Sequence, residues 1–185
     1  MDGGLGNDTI VTVGSNVKAR GGEGNDTLTG DSGNDTIYGG KGNDRIDGSH
    51  SGVNNLFGND GNDSFEGLNG SNAYGGPGND IFVAHQPVGT IDGGEGDDSF
   101  EGIFLNRWEW WASRNDPENG QQVWTPDSDN NSTSVVNKLL GGSGDDTFNI
   151  AENQYVRHDE VLIDGGTGYD TLQFATGYWI DRPWG

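Results

Sequence analysis

The feature that most limits what this chain can fold into is a nine-residue unit, G-G-x-G-x-D-x-U-x, in which U is a large apolar residue. It occurs as GGLGNDTIV from Gly3, GGEGNDTLT from Gly21, GDSGNDTIY from Gly30 and GGKGNDRID from Gly39. It continues as GNDGNDSFE from Gly58, GGPGNDIFV from Gly75, GGEGDDSFE from Gly93, GGSGDDTFN from Gly141 and GGTGYDTLQ from Gly165, nine copies in all. Self-similarity at a fixed short period points to units that stack and cannot bury their apolar residues alone.

The unit itself dictates a local shape. Glycine at three of the first six positions opens backbone angles closed to other residues, so the segment turns tightly and can aim carbonyls inward. The last three positions, such as Thr27-Leu28-Thr29, read as a very short strand whose middle side chain alone points inward. Those inward residues would be Ile10, Leu28, Ile37, Ile46, Phe65, Phe82, Phe100, Phe148 and Leu172.

Composition adds a condition. The chain has 185 residues, among them 35 glycines, with 29% hydrophobics and 30 acids against 9 Lys and Arg, a formal charge of −21. So little apolar surface and so much like charge cannot offset chain entropy unaided. Folding therefore requires something that neutralises the acids, and a polyvalent cation does so. Nucleic acid is a poor partner for such a surface, as is an anionic membrane, and no apolar run has transmembrane length. The absence of cysteine excludes disulfides and thiolate metal sites. Met1 is followed at once by the repetitive pattern, with no signal-peptide segment, which suggests a piece excised from a larger protein.

The nonapeptide resembles the calcium-binding repeat of the RTX, or haemolysin-type, family, over residues 3–101 almost continuously, then 141–149 and 165–173. The resemblance implies an all-β fold, a right-handed parallel β-roll (a β-solenoid) with two nonapeptides per turn and calcium ions between stacked turns. Turns 18 residues apart would stack about 4.8 Å above one another. Calcium takes roughly six to eight oxygen ligands, more than one turn offers, so each ion would bridge two turns and couple folding to metal. The implied ligand set is the position-six aspartates Asp8, Asp26, Asp44, Asp63, Asp80, Asp98, Asp146 and Asp170. To these it adds the position-five residues Asn7, Asn25, Asn43, Asn62, Asn79, Asp97 and Asp145. The backbone is expected to contribute at Gly3, Gly21, Gly39, Gly58, Gly75, Gly93, Gly141 and Gly165.

Register divides the copies between two edges. Tracing alternate half-turns, the motifs from Gly3, Gly21, Gly39, Gly58, Gly75, Gly93, Gly141 and Gly165 fall on one edge. Eight stacked turns leave seven gaps, hence up to about seven ions, whose charge of about +14 would answer most of the acidic excess. The opposite edge takes degenerate pieces, 12–20, 48–57, 67–74 and 84–92, and two insertions at 102–140 and 150–164. In 48–57 and 67–74, Asn54 and Asn72 are expected at the aspartate position. GDSGNDTIY is the one good motif on that edge, so Asp35 is expected to bind calcium weakly or not at all.

The insertion 102–140 holds Trp108, Trp110, Trp111 and Trp124 with Arg107. It is either an aromatic platform for carbohydrate or a cell surface, or a loop that folds over the thin core. Residues 174–185 read as a cap on the exposed end of the roll. His50, His85 and His158 fall on the diversified edge, where loop residues are the plainer explanation. No catalytic constellation is present. The whole chain, 1–185, reads as one β-roll domain. The resemblance implies a non-catalytic module of a bacterial protein exported by type I secretion machinery. Such a module is unfolded at low cytosolic calcium and folds outside the cell or at its surface, as the tail of a toxin, adhesin, hydrolase or epimerase.

Overall fold

The computed structural model describes residues 1–14, 16–48, 52–84, 88–104, 111–115, 122–126, 137–151 and 161–174. In chain order the strands are β1 (Asp2–Leu5), β2 (Thr9–Val11), β3 (Lys18–Glu23), β4 (Thr27–Thr29), β5 (Thr36–Lys41) and β6 (Arg45–Asp47). They continue as β7 (Asn55–Asp60), β8 (Ser64–Glu66), β9 (Asn72–Pro77), β10 (Ile81–Val83), β11 (Thr90–Glu95) and β12 (Ser99–Phe104). The last are β13 (Trp111–Asn115), β14 (Gln122–Pro126), β15 (Asn137–Ser143), β16 (Thr147–Ala151), β17 (Val161–Thr167) and β18 (Thr171–Phe174).

The chain winds alternately between two eight-stranded parallel sheets. One has the order β1-β3-β5-β7-β9-β11-β15-β17, the other β18-β16-β12-β10-β8-β6-β4-β2. This is the expected parallel β-roll of eight turns. Residue pairs such as Gly4 with Gly22 and Leu28 with Ile46 stand one turn apart.

The short TIV- and TLT-type strands supply one inward row, in which Leu28, Ile46, Phe65, Phe82, Phe100 and Phe148 are buried. In-register stacking places the four phenylalanine rings face to face, with centroids 4.7, 5.1 and 4.4 Å apart. The facing row is Ala19, Ile37, Leu56, Ala73, Ile91 and Leu139. Apolar rows one residue wide are all a roll this thin can bury, which explains the low hydrophobic content. At the two ends the row opens, with Ile10 only partly buried and Leu172 47% exposed.

Three expectations change. The first two glycines of each motif do not belong to the turn alone: they complete the six-residue strands of the first sheet, as Gly21 and Gly22 do in β3. The insertions are shorter than 102–140 and 150–164, because β12 runs to Phe104, β15 begins at Asn137, β16 reaches Ala151 and β17 begins at Val161. Within the first insertion β13 and β14 pair as an antiparallel hairpin, Trp111 opposite Pro126 and Ser113 opposite Trp124.

Candidate metal centre

The turns that run from the first sheet into the second, such as 24–26 between β3 and β4, all lie on one edge. Each carries its position-six aspartate: Asp26, Asp44, Asp63, Asp80, Asp98 and Asp146 are buried, Asp8 is partly buried in the first turn, and Asp170 is exposed in the last. One oxygen of each carboxylate is committed to the fold. Asp26 N–H donates to Asp44 Oδ1 (2.7 Å), Asp44 N–H to Asp63 Oδ1 (2.8 Å) and Asp63 N–H to Asp80 Oδ1 (2.7 Å). The same bond links Asp8 to Asp26, Asp80 to Asp98, Asp98 to Asp146 and Asp146 to Asp170.

The other oxygen has no protein partner. Oδ2 of Asp8, Asp26, Asp44, Asp63, Asp80, Asp98 and Asp146 is buried and accepts no hydrogen bond, one orphaned anionic oxygen for each of the seven gaps. Leaving a buried carboxylate oxygen unsatisfied costs several kcal/mol if nothing else binds it, so seven in register indicate a ligand set.

The glycine at position one shows where that oxygen points. A Cβ on Gly39 would collide with Asp44 Oδ2 and lie 2.8 Å from the carbonyl oxygen of Gly58 in the next turn. A Cβ on Gly93 would meet Asp98 Oδ2 and, at 2.7 Å, the Gly141 carbonyl. The same pair of oxygens converges at Gly3, Gly21, Gly58, Gly75 and Gly141, but Gly165 meets only its own Asp170, because no turn follows. Carboxylate and carbonyl oxygens from adjacent turns are the donors a hard divalent cation selects, so the residues present fit calcium. Among the described residues no three His, Asp or Glu side chains converge on one point. Backbone carbonyls would therefore supply most of the ligands, which the glycine-rich sequence favours.

Electrostatics shows the strain of the metal-free arrangement. Burial raises the carboxyls of Asp44 and Asp80 to about 6 and those of Asp63 and Asp98 to about 7, partly offset by the backbone N–H each accepts. Neighbouring aspartates add to the rise at Asp44, Asp63 and Asp98; burial likewise raises Asp146.

Position five has a different geometry from position six. Asn7 Oδ1 accepts the Asn25 N–H (2.9 Å), Asn25 Oδ1 the Asn43 N–H (2.9 Å) and Asn43 Oδ1 the Asn62 N–H (3.0 Å). The ladder continues through Asn79 and Asp97 to Asp145, whose Oδ1 accepts the Tyr169 N–H. These side chains, placed with the ligands by the motif, clip consecutive turns together on the solvent side of the edge. The two ladders run in opposite directions along the roll, a pairing that spacing alone does not reveal.

The opposite edge closes without orphaned oxygens. Asp35 is buried, yet its Oδ1 accepts the Val17 N–H (2.8 Å) and its Oδ2 the Thr12 hydroxyl (2.9 Å). Its own N–H donates to Asn54 Oδ1 (2.7 Å), and the Asn54 N–H donates to Ser71 Oγ (2.9 Å). Asn54 also donates to the Gly48 carbonyl. Ser71, not Asn72, thus takes the aspartate place in its turn, because the 67–74 segment is one residue short. Asn72 instead begins β9 and accepts the Thr90 N–H (2.9 Å). Arg107, Trp108 and Trp110 lie outside the described residues, as do His50, His85, His158 and 175–185. Of Trp111 and Trp124 the hairpin backbone is described.

Fold and edge together define a parallel β-roll built to hold cations between its turns. The family model for the RTX calcium-binding nonapeptide repeat matches four segments of the chain, 1–12, 20–49, 50–82 and 90–102. The chain belongs to this RTX repeat family, and its roll is a calcium-binding module. No curated protein matches it.

Proposed function

We propose that the chain is a calcium-triggered folding module of a type I-secreted protein, taking up to about seven ions on the edge of Asp8, Asp26, Asp44, Asp63, Asp80, Asp98 and Asp146. The observation that carries the reading is the row of buried carboxylate oxygens without partners in a chain of charge −21. Without cations the edge gathers like charge in a desolvated row, so charge repulsion and burial both favour the open chain. With cations the same oxygens join each turn to the next. Weak extracellular calcium modules bind at about 10⁻⁴ to 10⁻³ M, well above resting cytosolic levels, which suits export unfolded and folding outside. The module supports the folding and stability of a larger exoprotein and has no catalytic role of its own.

Circular dichroism of the full chain in calcium, in magnesium and in excess chelator tests this. β-structure should appear with calcium and be absent with chelator, and calorimetry should count about seven ions. Native-like structure in chelator would overturn the reading.

A further inference from the structure

The outer face of the first sheet carries a feature that ion binding does not require. On β3, β5, β7 and β9 the residue just before the glycine pair points outward, and in-register pairing aligns Arg20, Tyr38, Phe57 and Tyr74. The three rings stack with centroids 4.8 and 5.0 Å apart and planes within 10°, half-buried against one another. Lys18 Nζ and Arg20 Cζ lie 5.0 and 5.3 Å from the Tyr38 ring centroid, closing one end of the stack.

The cations are the informative part. Acids outnumber cations 30 to 9 in this chain, and Lys41 and Arg45 each pair with a glutamate of a neighbouring turn, Glu23 and Glu66. Lys18 and Arg20 are exposed and make no ion pair among the described residues; they are held over an aromatic ring with donors toward solvent. Beside the rings runs a polar row, in which Asn72 Nδ2 donates to Asn55 Oδ1 (3.1 Å).

We infer that this strip binds a short glycan bearing a single acidic sugar, its carboxylate or sulfate at Lys18 and Arg20 and its neutral sugars along Phe57 and Tyr74. Ring surface takes the C–H faces of a sugar, amides take its hydroxyls, and paired cations take one anionic group. Charge complementarity also sets the extent. Asp2 precedes Arg20 in register and Asp92 follows Tyr74, so an anion at either end of the row is repelled. An extended polyanion needs many cations and meets these acids instead.

The test uses the calcium-loaded full chain with sialyllactose, lactose and heparin, read by saturation-transfer NMR and calorimetry. Sialyllactose should bind at least about tenfold more tightly than lactose, the loss expected when one charge-assisted contact is absent. The double variant K18Q/R20Q should reduce sialyllactose to the lactose level with its calcium-folding midpoint unchanged. Phe57→Thr should weaken both sugars. Equal binding of the two sugars overturns the inference, as does no binding to the folded chain, retention in the double variant, or preference for heparin. Each of those results leaves the calcium reading standing, since the folding midpoint is measured separately.

Discussion

Asp44 and Asp35 hold the same place in the nonapeptide, and replacing each by asparagine should separate the two edges. Asp44 Oδ1 accepts the Asp26 N–H, while its buried Oδ2 has no partner and faces the Gly58 carbonyl. Asp35 spends both oxygens on Val17 and Thr12. Asp44→Asn keeps the backbone acceptor and deletes one anionic ligand. If the lost ion was present at about 100 times its dissociation constant, the folded state loses about 2.7 kcal/mol. In chelator the sign reverses. Burial lifts the Asp44 carboxyl from 3.8 to about 6. Removing that charge stabilises the metal-free roll at neutral pH by at most about 3 kcal/mol. Asp35→Asn instead weakens one buried hydrogen-bond pair, costing about 1 to 2 kcal/mol with or without calcium. Calcium titrations followed by circular dichroism, with calorimetric ion counts, measure both. Asp44→Asn should bind one ion fewer and fold at higher calcium; Asp35→Asn should keep the full count. A full count in Asp44→Asn, or a lost ion in Asp35→Asn, would refute the reasoning.

The raised carboxyls of Asp44, Asp63, Asp80 and Asp98 make a pH prediction opposite to ordinary acid unfolding. Their contribution to the metal-free roll is fully present below about pH 4 and lost as pH rises through 6 to 7, so chelated protein should gain β-structure on acidification. Calcium-driven folding should weaken over the same window, because protons compete for the same oxygens; circular dichroism at fixed calcium checks this. Gly21→Ala should remove one ion, since its Cβ would contact Asp26 Oδ2 and lie 2.6 Å from the Gly39 carbonyl; calorimetric stoichiometry is the readout. Asn59→Gly should raise the melting temperature by a few degrees. Asn59 sits at φ 73° where Gly22, Gly40 and Gly76 take 125°, 130° and 115°, and glycine removes strain of about 0.5 kcal/mol net.

Much of this architecture is readable from spacing, because an 18-residue turn forces every chemical regularity into a column. Gly21, Gly39 and Asp26, Asp44 fall on one edge for that reason alone, and the orphaned oxygens occur on that same edge. What spacing misses is direction. Asn25 and Asp26 are adjacent and both polar, yet one reaches forward to Asn43 and the other is reached from Asp8. Only backbone geometry distinguishes them. Ser71 was hidden by a different cause: one deleted residue in 67–74 moves the aspartate place onto a residue type that no motif specifies. The aromatic column had a signal that was available. Arg20, Tyr38, Phe57, Tyr74 and Asp92 each immediately precede position one of a motif on the cation edge, and reading that column down the turns would have found it.

The two edges also explain why the chain tolerates insertions on one side. Strand β12 pairs with β16 although Ser99 and Thr147 are 48 residues apart, where a regular turn needs 18. Closing the longer loop costs only about 1 kcal/mol more, since the entropy grows with the logarithm of length. That cost falls where the chain crosses through 105–136, and the compensating contacts lie on the far edge. There Asp98 N–H still donates to Asp146 Oδ1 and Asp145 N–H to Asp97 Oδ1. On the calcium reading this gap has a carboxylate at position five where the five earlier turns of that edge have asparagine, and more anionic charge around a calcium site raises its affinity. The gap that must hold together the most separated segments is thus among the most strongly charged. Variation can accumulate on the hydrogen-bonded edge because turn-to-turn closure is carried by the other.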